Sequence, residues 1–220
     1  MIVDLMFLNS DYYLSDLELI ENTKNKRILK YLCELATNEV SLNSKWHEKD
    51  MKLLANEKTD KIADYLYSLI KFYYDFGFEK HREHDLELIS NAKNDIIAKY
   101  LYEIAIKTAQ FGDNKYYQKN IQLIANAKSN KIAKYLCDVA CDSNSLKYVY
   151  HTKDMEAISK SGNDRIAKFI CLTATNCFSL SFDSHSKDIE ILSKAFTYKV
   201  ADCLYNTACL RYTVLNESSA

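Results

Sequence analysis

Apolar residues along this chain recur at helical spacing. Ile28, Leu32, Leu35 and Ala36 fall at i, i+4, i+7 and i+8, one face of a 3.6-residue helix. Ile97, Leu101, Ile104 and Ala105 repeat that face, as do Ile132, Leu136, Val139 and Ala140. Each face follows a shorter apolar motif by a constant offset. The short motif reads Asp16-Leu-Glu-Leu-Ile, Asp50-Met-Lys-Leu-Leu, Asp85-Leu-Glu-Leu-Ile, Asn120-Ile-Gln-Leu-Ile, Asp154-Met-Glu-Ala-Ile and Asp188-Ile-Glu-Ile-Leu, at spacings of 34, 35, 35, 34 and 34. Twelve residues after each start comes Ile28-Leu-Lys-Tyr-Leu, Ile62-Ala-Asp-Tyr-Leu, Ile97-Ala-Lys-Tyr-Leu, Ile132-Ala-Lys-Tyr-Leu, Ile166-Ala-Lys-Phe-Ile or Val200-Ala-Asp-Cys-Leu. A two-part motif in six in-register copies is the mark of a tandem repeat.

Each copy predicts two helices. The break between them carries a residue whose short side chain can accept from an orphan amide of the next helix: Asn25, Thr59, Asn94, Ser129, Asn163 and Thr197. The first helix can start at the Asp, whose charge suits a helix N-terminus, or about five residues earlier with Ser10 and Ser44 as caps. The longer version is preferred, with Tyr13, Leu17 and Ile20 on one face, two helices of about 13 residues and a connection of about 7. Ser41-Leu42, Ser145-Leu146 and Ser179-Leu180 occupy one site in that connection, and Phe76-Gly77 and Phe111-Gly112 occupy it in two other copies. The expected organisation is a single repeat domain over 1–220. Residues 1–15 form a partial repeat that caps it, followed by repeats at 16–49, 50–84, 85–119, 120–153, 154–187 and 188–215 and a frayed tail at 216–220.

Composition narrows the function classes. The chain has 48% hydrophobic and 27% charged residues, a formal net charge of −1, 3 Gly and no Pro. That excludes low-complexity and collagen-like chains, and hydrophobicity is too high for global disorder. It also weighs against an electrostatically driven nucleic-acid binder. Three Gly leave no phosphate-cradling loop or dinucleotide fingerprint, so no cofactor is expected. No apolar run reaches the length of a membrane span, and the N-terminal residues lack a targeting pattern. Seven Cys without a CxxC pair predict reduced core thiols and a cytoplasmic protein.

Tandem helix pairs of this period resemble the α-solenoid families, among them tetratricopeptide, HEAT, armadillo and ankyrin-type repeats. The resemblance covers about residues 16 to 210. The Trp, Gly, Tyr and Pro signature of tetratricopeptide repeats is missing, as are the Thr-Pro-Leu-His motif and Gly-rich hairpin of ankyrin repeats. What the resemblance implies is an all-α fold, a right-handed α/α superhelix of about six helix pairs that presents columns of equivalent residues to a partner.

Two columns are the candidate partner-binding residues. One holds Tyr13, His47, Arg82, Tyr117, His151 and His185. Column members about 8–10 Å apart cannot share one metal ion, so no metal site is expected there. The other holds Asn22, Asn56, Asn91 and Asn126, whose amides can both donate to and accept from a peptide backbone. Lys24, Lys58, Lys93 and Lys128 lie two residues further on. No catalytic constellation stands out, and an enzyme is the least favoured class. The expected function is a macromolecular interaction scaffold binding a protein or extended peptide. Alternatives are a nucleic-acid-binding HEAT-like solenoid, resting on a column of Lys30, Lys99, Lys134 and Lys168, and a phage- or pathogen-encoded inhibitor or effector acting on a host protein.

Overall fold

The computed structural model describes residues 12–111, 115–143, 145–147, 149–176 and 182–217. Thirteen α-helices and one 3₁₀ turn occur among them, and no strand. None of these helices is long and apolar enough to cross a membrane. The chain divides into two compact units, residues 1–102 and 103–220.

The first unit holds α1 (Tyr13–Asn22), α2 (Lys26–Ala36), the short α3 (Glu39–Leu42), α4 (His47–Ala55), α5 (Asp60–Phe76), α6 (Arg82–Ser90) and the first part of α7 (Asp95–Phe111). Residues 103–111 of α7 belong to the second unit, with α8 (Tyr117–Ala125), α9 (Asn130–Ala140), the 3₁₀ turn Ser145–Lys147, α10 (His151–Lys160), α11 (Asp164–Asn176), α12 (Phe182–Ser193) and α13 (Tyr198–Glu217).

The break residues cap their helices as their chemistry requires. Asn25 Oδ1 accepts from the amides of Arg27 and Ile28 at 2.9 and 3.3 Å. Thr59 and Ser129 Oγ each accept from the amide three residues on, at 3.2 Å. Asn94 and Thr197 do the same for α7 and α13, and Asn163 Oδ1 accepts from the amide of Arg165, two residues on, at the start of α11. The caps also reach across to the next helix pair. Asn25 donates to Asp60, Thr59 to Asp95 and Ser129 to Asp164, at 2.6, 2.9 and 2.6 Å. One short side chain therefore ends the turn and ties adjacent pairs together.

The first helices are shorter than the preferred reading. They run 9 to 10 residues in α1, α4, α6, α8 and α10, not about 13. Ser44 does not cap α4. Its carbonyl and hydroxyl instead hold a preceding turn, accepting from the amides of His47 and Trp46 at 3.1 and 3.2 Å. The helix starts behind that turn with no side-chain cap. The connections carry helical turns of their own at Ser41-Leu42 and Ser145-Leu146. Gly77, at φ +68°, ends α5 in the left-handed region that favours glycine. The expected N-terminal cap up to residue 11, Ser10, Gly112, Ser179-Leu180 and residues 218–220 lie outside the described residues.

Within each unit, first helices pack on first helices and second on second: α1 on α4 and α2 on α5, then α8 on α10, α10 on α12, α9 on α11 and α11 on α13. The core is the face read from the periodicity. Leu32, Leu66, Leu101, Leu136 and Ile170, equivalent in sequence, are all fully buried. Each such burial contributes about 2 kcal/mol.

Candidate interaction surface

The first candidate column does not reach the surface. His47, Arg82, Tyr117, His151 and His185 are buried, and only Tyr13 is half-exposed. A side chain with no surface cannot touch a docking partner, so these five do not form a docking surface. They occupy the first turn of their helices, and His47, Arg82, His151 and His185 point at the preceding helix pair.

There they meet the residue that opens each repeat motif. His47 Nε2 lies 2.9 Å from Asp16 Oδ2, and His185 Nε2 lies 2.8 Å from Asp154 Oδ2. Arg82 grips Asp50 with both guanidinium nitrogens, Nη1 donating to Oδ1 at 3.0 Å and Nη2 to Oδ2. His151 Nε2 lies 2.8 Å from Asn120 Nδ2. These acidic residues, expected as helix-terminus charges, are buried partners of the next pair. The signal was available in principle, because a His or Arg follows Asp16, Asp50 and Asp154 by about one repeat.

His47 and His151 are held at both nitrogens. Ser41 Oγ lies 2.9 Å from His47 Nδ1, and Ser145 Oγ lies 2.9 Å from His151 Nδ1. The two sites require opposite tautomers. Asp16 only accepts, so His47 Nε2 carries the proton and Ser41 donates to Nδ1. Asn120 Nδ2 only donates, so His151 Nε2 accepts and the proton sits on Nδ1. Burial drives the His151 pKa down to about 4, opposed by the charge of Asp142, so the ring is neutral at pH 7.

Ser41, His47 and Asp16 have the residue types of a hydrolytic triad. All three are fully buried, so no substrate carbonyl reaches Ser41 Oγ in this conformation. The same wiring recurs at Ser145, His151 and Asn120 with an amide in place of the acid. An amide cannot stabilise an imidazolium by charge, so the two copies share the geometry and not the charge relation.

Arg82 is caged by Trp46, Tyr73 and Tyr74, with its guanidinium carbon 5.5, 5.6 and 4.9 Å from the ring centroids. Tyr74 also donates to Asp50, and Tyr73 donates to Asp85 at 2.7 Å. Burial pushes the Asp50 pKa up to about 6, with Arg82 and the Tyr74 hydroxyl opposing. Burial likewise raises Asp154, with His185 opposing.

The second column is on the surface. Asn22, Asn56, Asn91 and Asn126 are exposed at the ends of their first helices. Each donates Nδ2 to the carbonyl four residues back, at 2.8, 2.8, 2.9 and 3.0 Å. The amide is thereby fixed in orientation, and its Oδ1 accepts no hydrogen bond from the described residues. Lys24, Lys58, Lys93 and Lys128 are exposed on the same turns. The lysines of the alternative nucleic-acid face are exposed too, but Lys30 pairs with Glu34 at 3.6 Å and Lys134 with Asp138 at 2.7 Å.

The second helices carry a half-buried aromatic diagonal. Tyr31 stacks on Tyr67 at 4.2 Å and Tyr65 on Tyr102 at 5.5 Å in the first unit, and Phe169 meets Tyr205 at 5.4 Å in the second. Tyr31 donates to Asp64 at 2.6 Å and Tyr67 donates to Glu34. Beside Tyr67, a cleft of about 250 Å³ opens between the C-terminal turns of α2 and α5, with Glu34, Lys71, Tyr74 and Asp75 in its wall. None of these cleft residues was singled out from sequence as a site.

Cys137 and Cys171 are buried as expected, and burial raises the Cys171 thiol to about 12. Cys33 and Cys203, read as core thiols, are exposed. The diagonal explains this. The Cys203 position is covered where another second helix packs on it, as Tyr67 covers Tyr31, and no described second helix covers Cys203 on α13. The described helices hold no pair ahead of Cys33. No group of three His, Cys, Asp or Glu among the described residues is placed to hold a metal ion.

No family model matches the sequence, and no curated protein or solved structure matches the chain.

Proposed function

We propose that the helix pairs continue one another as a right-handed α/α solenoid of about six repeats, and that the chain is a cytoplasmic interaction scaffold. Its ligand is a protein segment or extended peptide lying along the turns that carry Asn22, Asn56 and Asn91. The observation that carries this reading is the anchored amide column. Each Asn is held by its own backbone, so little side-chain entropy is lost on binding. Each offers an acceptor to a peptide N–H. Helix pairs stack about 8–10 Å apart, close to the rise of three extended residues, so successive amides meet every third peptide unit. The neighbouring lysines favour an acidic segment. The buried His and Arg column contributes by keeping successive pairs in register.

The test is selection of a random peptide library on the full chain, followed by calorimetry. Acidic extended peptides should be enriched and bind one per chain. Asn56→Ala and Asn91→Ala should each weaken binding about fivefold, the effect of about 1 kcal/mol per hydrogen bond. Failure to enrich any peptide, or affinity indifferent to both substitutions, refutes the proposal.

A further inference from the structure

Cysteine recurs at one place in the second helices. Cys33, Cys137 and Cys171 hold the same position in three copies, five residues after Ile28, Ile132 and Ile166. In two of these copies a Thr follows four residues on. Thr37 and Thr175 fold back on their own helices, each Oγ1 donating to the cysteine carbonyl, at 2.9 and 3.0 Å. The third copy departs from that pattern. It carries Cys141 in place of the Thr, and Cys141 Sγ lies 3.9 Å from Cys137 Sγ. No other copy of the repeat places cysteine at both positions.

The two sulfurs are not equivalent. Cys137 is 4% exposed inside α9, with Glu103 Oε2 3.8 Å from its Sγ. Cys141 is half-buried and caps the C-terminus of α9, its amide donating to the Cys137 carbonyl at 2.9 Å. The carboxylate beside Cys137 keeps the shared proton there, so Cys137 donates and Cys141 accepts. That hydrogen bond draws the Cys141 thiol below its ordinary range; burial opposes, and the charge of Lys107 adds to the effect. The same bond and burial drive Cys137 the other way. One sulfur is thus a reachable nucleophile, and the other a covered thiol held against it. The backbone permits a bond between them. Cα atoms four residues apart on a helix are about 6 Å apart, inside the span of a disulfide. The Cβ atoms must close from about 5–6 Å to about 4 Å. Because Cys141 is the cap residue, that movement falls on the last turn of α9 and not on its interior.

We propose that Cys141 and Cys137 form a dithiol site for small-molecule disulfides of the glutathione type, with Cys141 attacking and Cys137 resolving. The Cys141 thiolate attacks one sulfur of the small disulfide, whose S–S bond breaks. One small thiolate leaves and takes up the proton that Cys141 released, and a mixed disulfide stands on Cys141. Cys137 then gives up its proton, and its thiolate attacks Cys141 Sγ. The second small thiolate leaves and takes that proton. The cysteine pair has lost two electrons and two protons, and the small disulfide has become two thiols. Cys33 is the internal control, being exposed and having Thr37 where the pair has Cys141. It takes the first step and stops at the mixed disulfide.

The test treats the full chain with oxidised glutathione at pH 7, blocks the remaining thiols with N-ethylmaleimide in denaturant, and weighs the tryptic peptides. Residues 135–147 form one such peptide, between the cleavage sites at Lys134 and Lys147, and hold both cysteines. It should be short by two hydrogens and carry neither glutathione nor blocking agent, while Cys33 carries glutathione. Cys137→Ser should leave glutathione standing on Cys141. Cys141→Thr, the residue of two other copies, should abolish the disulfide and leave Cys137 free of glutathione, with helix content by circular dichroism unchanged. If that variant does not fold, Cys141→Ser makes the same test. Recovery of the peptide with both thiols blocked after Cys33 has reacted overturns the proposal. So does a mixed disulfide that persists on Cys141 of the parent, and so does glutathione on Cys137 of a folded Cys141 variant.

Discussion

Replacing Arg82 by Met should expose how much the buried column contributes. Arg82 and Asp50 are 2% exposed each, and the guanidinium is held by both carboxylate oxygens. With charge centres about 4 Å apart and an effective dielectric constant of about 20, their attraction is about 4 kcal/mol. Met fills most of the Arg volume among Trp46, Tyr73 and Tyr74, so packing changes little. What remains is a buried carboxylate with the Tyr74 hydroxyl as its partner. The expected loss is about 3–5 kcal/mol at pH 8, read from urea unfolding followed by far-UV circular dichroism. The loss should shrink in acid. Burial already places Asp50 at about 6, above its ordinary 3.8, and Arg82 holds it down. Without Arg82 it rises further. A carboxyl with a raised folded pKa keeps a proton that the unfolded chain has released, so stability falls as pH rises between the two values. At pH 4 the variant should recover most of its deficit. Combining Arg82→Met with Asp50→Leu should return stability to within about 1 kcal/mol of the parent, because no uncompensated charge remains. A loss under 1 kcal/mol, or one that does not change with pH, would refute the account of the column as matched buried pairs.

The acid side has a second contributor of opposite sign. His151 is depressed to about 4 from 6.5, so the unfolded chain takes up a proton that the folded chain refuses. Stability should therefore drop by about 3 kcal/mol as pH falls from 6.5 to 4. Comparing the pH dependence with that of His151→Gln isolates the effect, and a His151 imidazole signal, assigned by its loss in that variant, that titrates near 6.5 in nuclear magnetic resonance contradicts it. Thr59→Ala removes both the cap on Ile62 and the bond to Asp95. It should cost about 1–2 kcal/mol in chemical unfolding, and Thr59→Ser should restore nearly all of it.

The helix pairs were legible in the sequence because their causes are local. Spacing of apolar residues selects the helix, and Asn, Ser or Thr at each break satisfies the first amides of the next one. The core followed as well, since residues at i, i+4 and i+7 share a face wherever the helix lies. The start of each first helix was less legible. Ser44 has the chemistry of a cap, yet the turn at Trp46 uses it before the helix begins.

What only the tertiary structure decided is which repeated columns face water. His47 and Asn56 are both polar, both repeated, and both good ligands for a partner. One is sealed between neighbouring helix pairs and the other stands outside. Sequence periodicity places a residue on a face of its own helix. It does not say whether another helix covers that face, because covering depends on residues about one repeat away. The same reason separates Val200 from Ile166: nearly the same side chain, at the same place in its helix, is buried in one pair and open in the next. Local chemistry determined the elements of this protein; contacts between elements determined its surface.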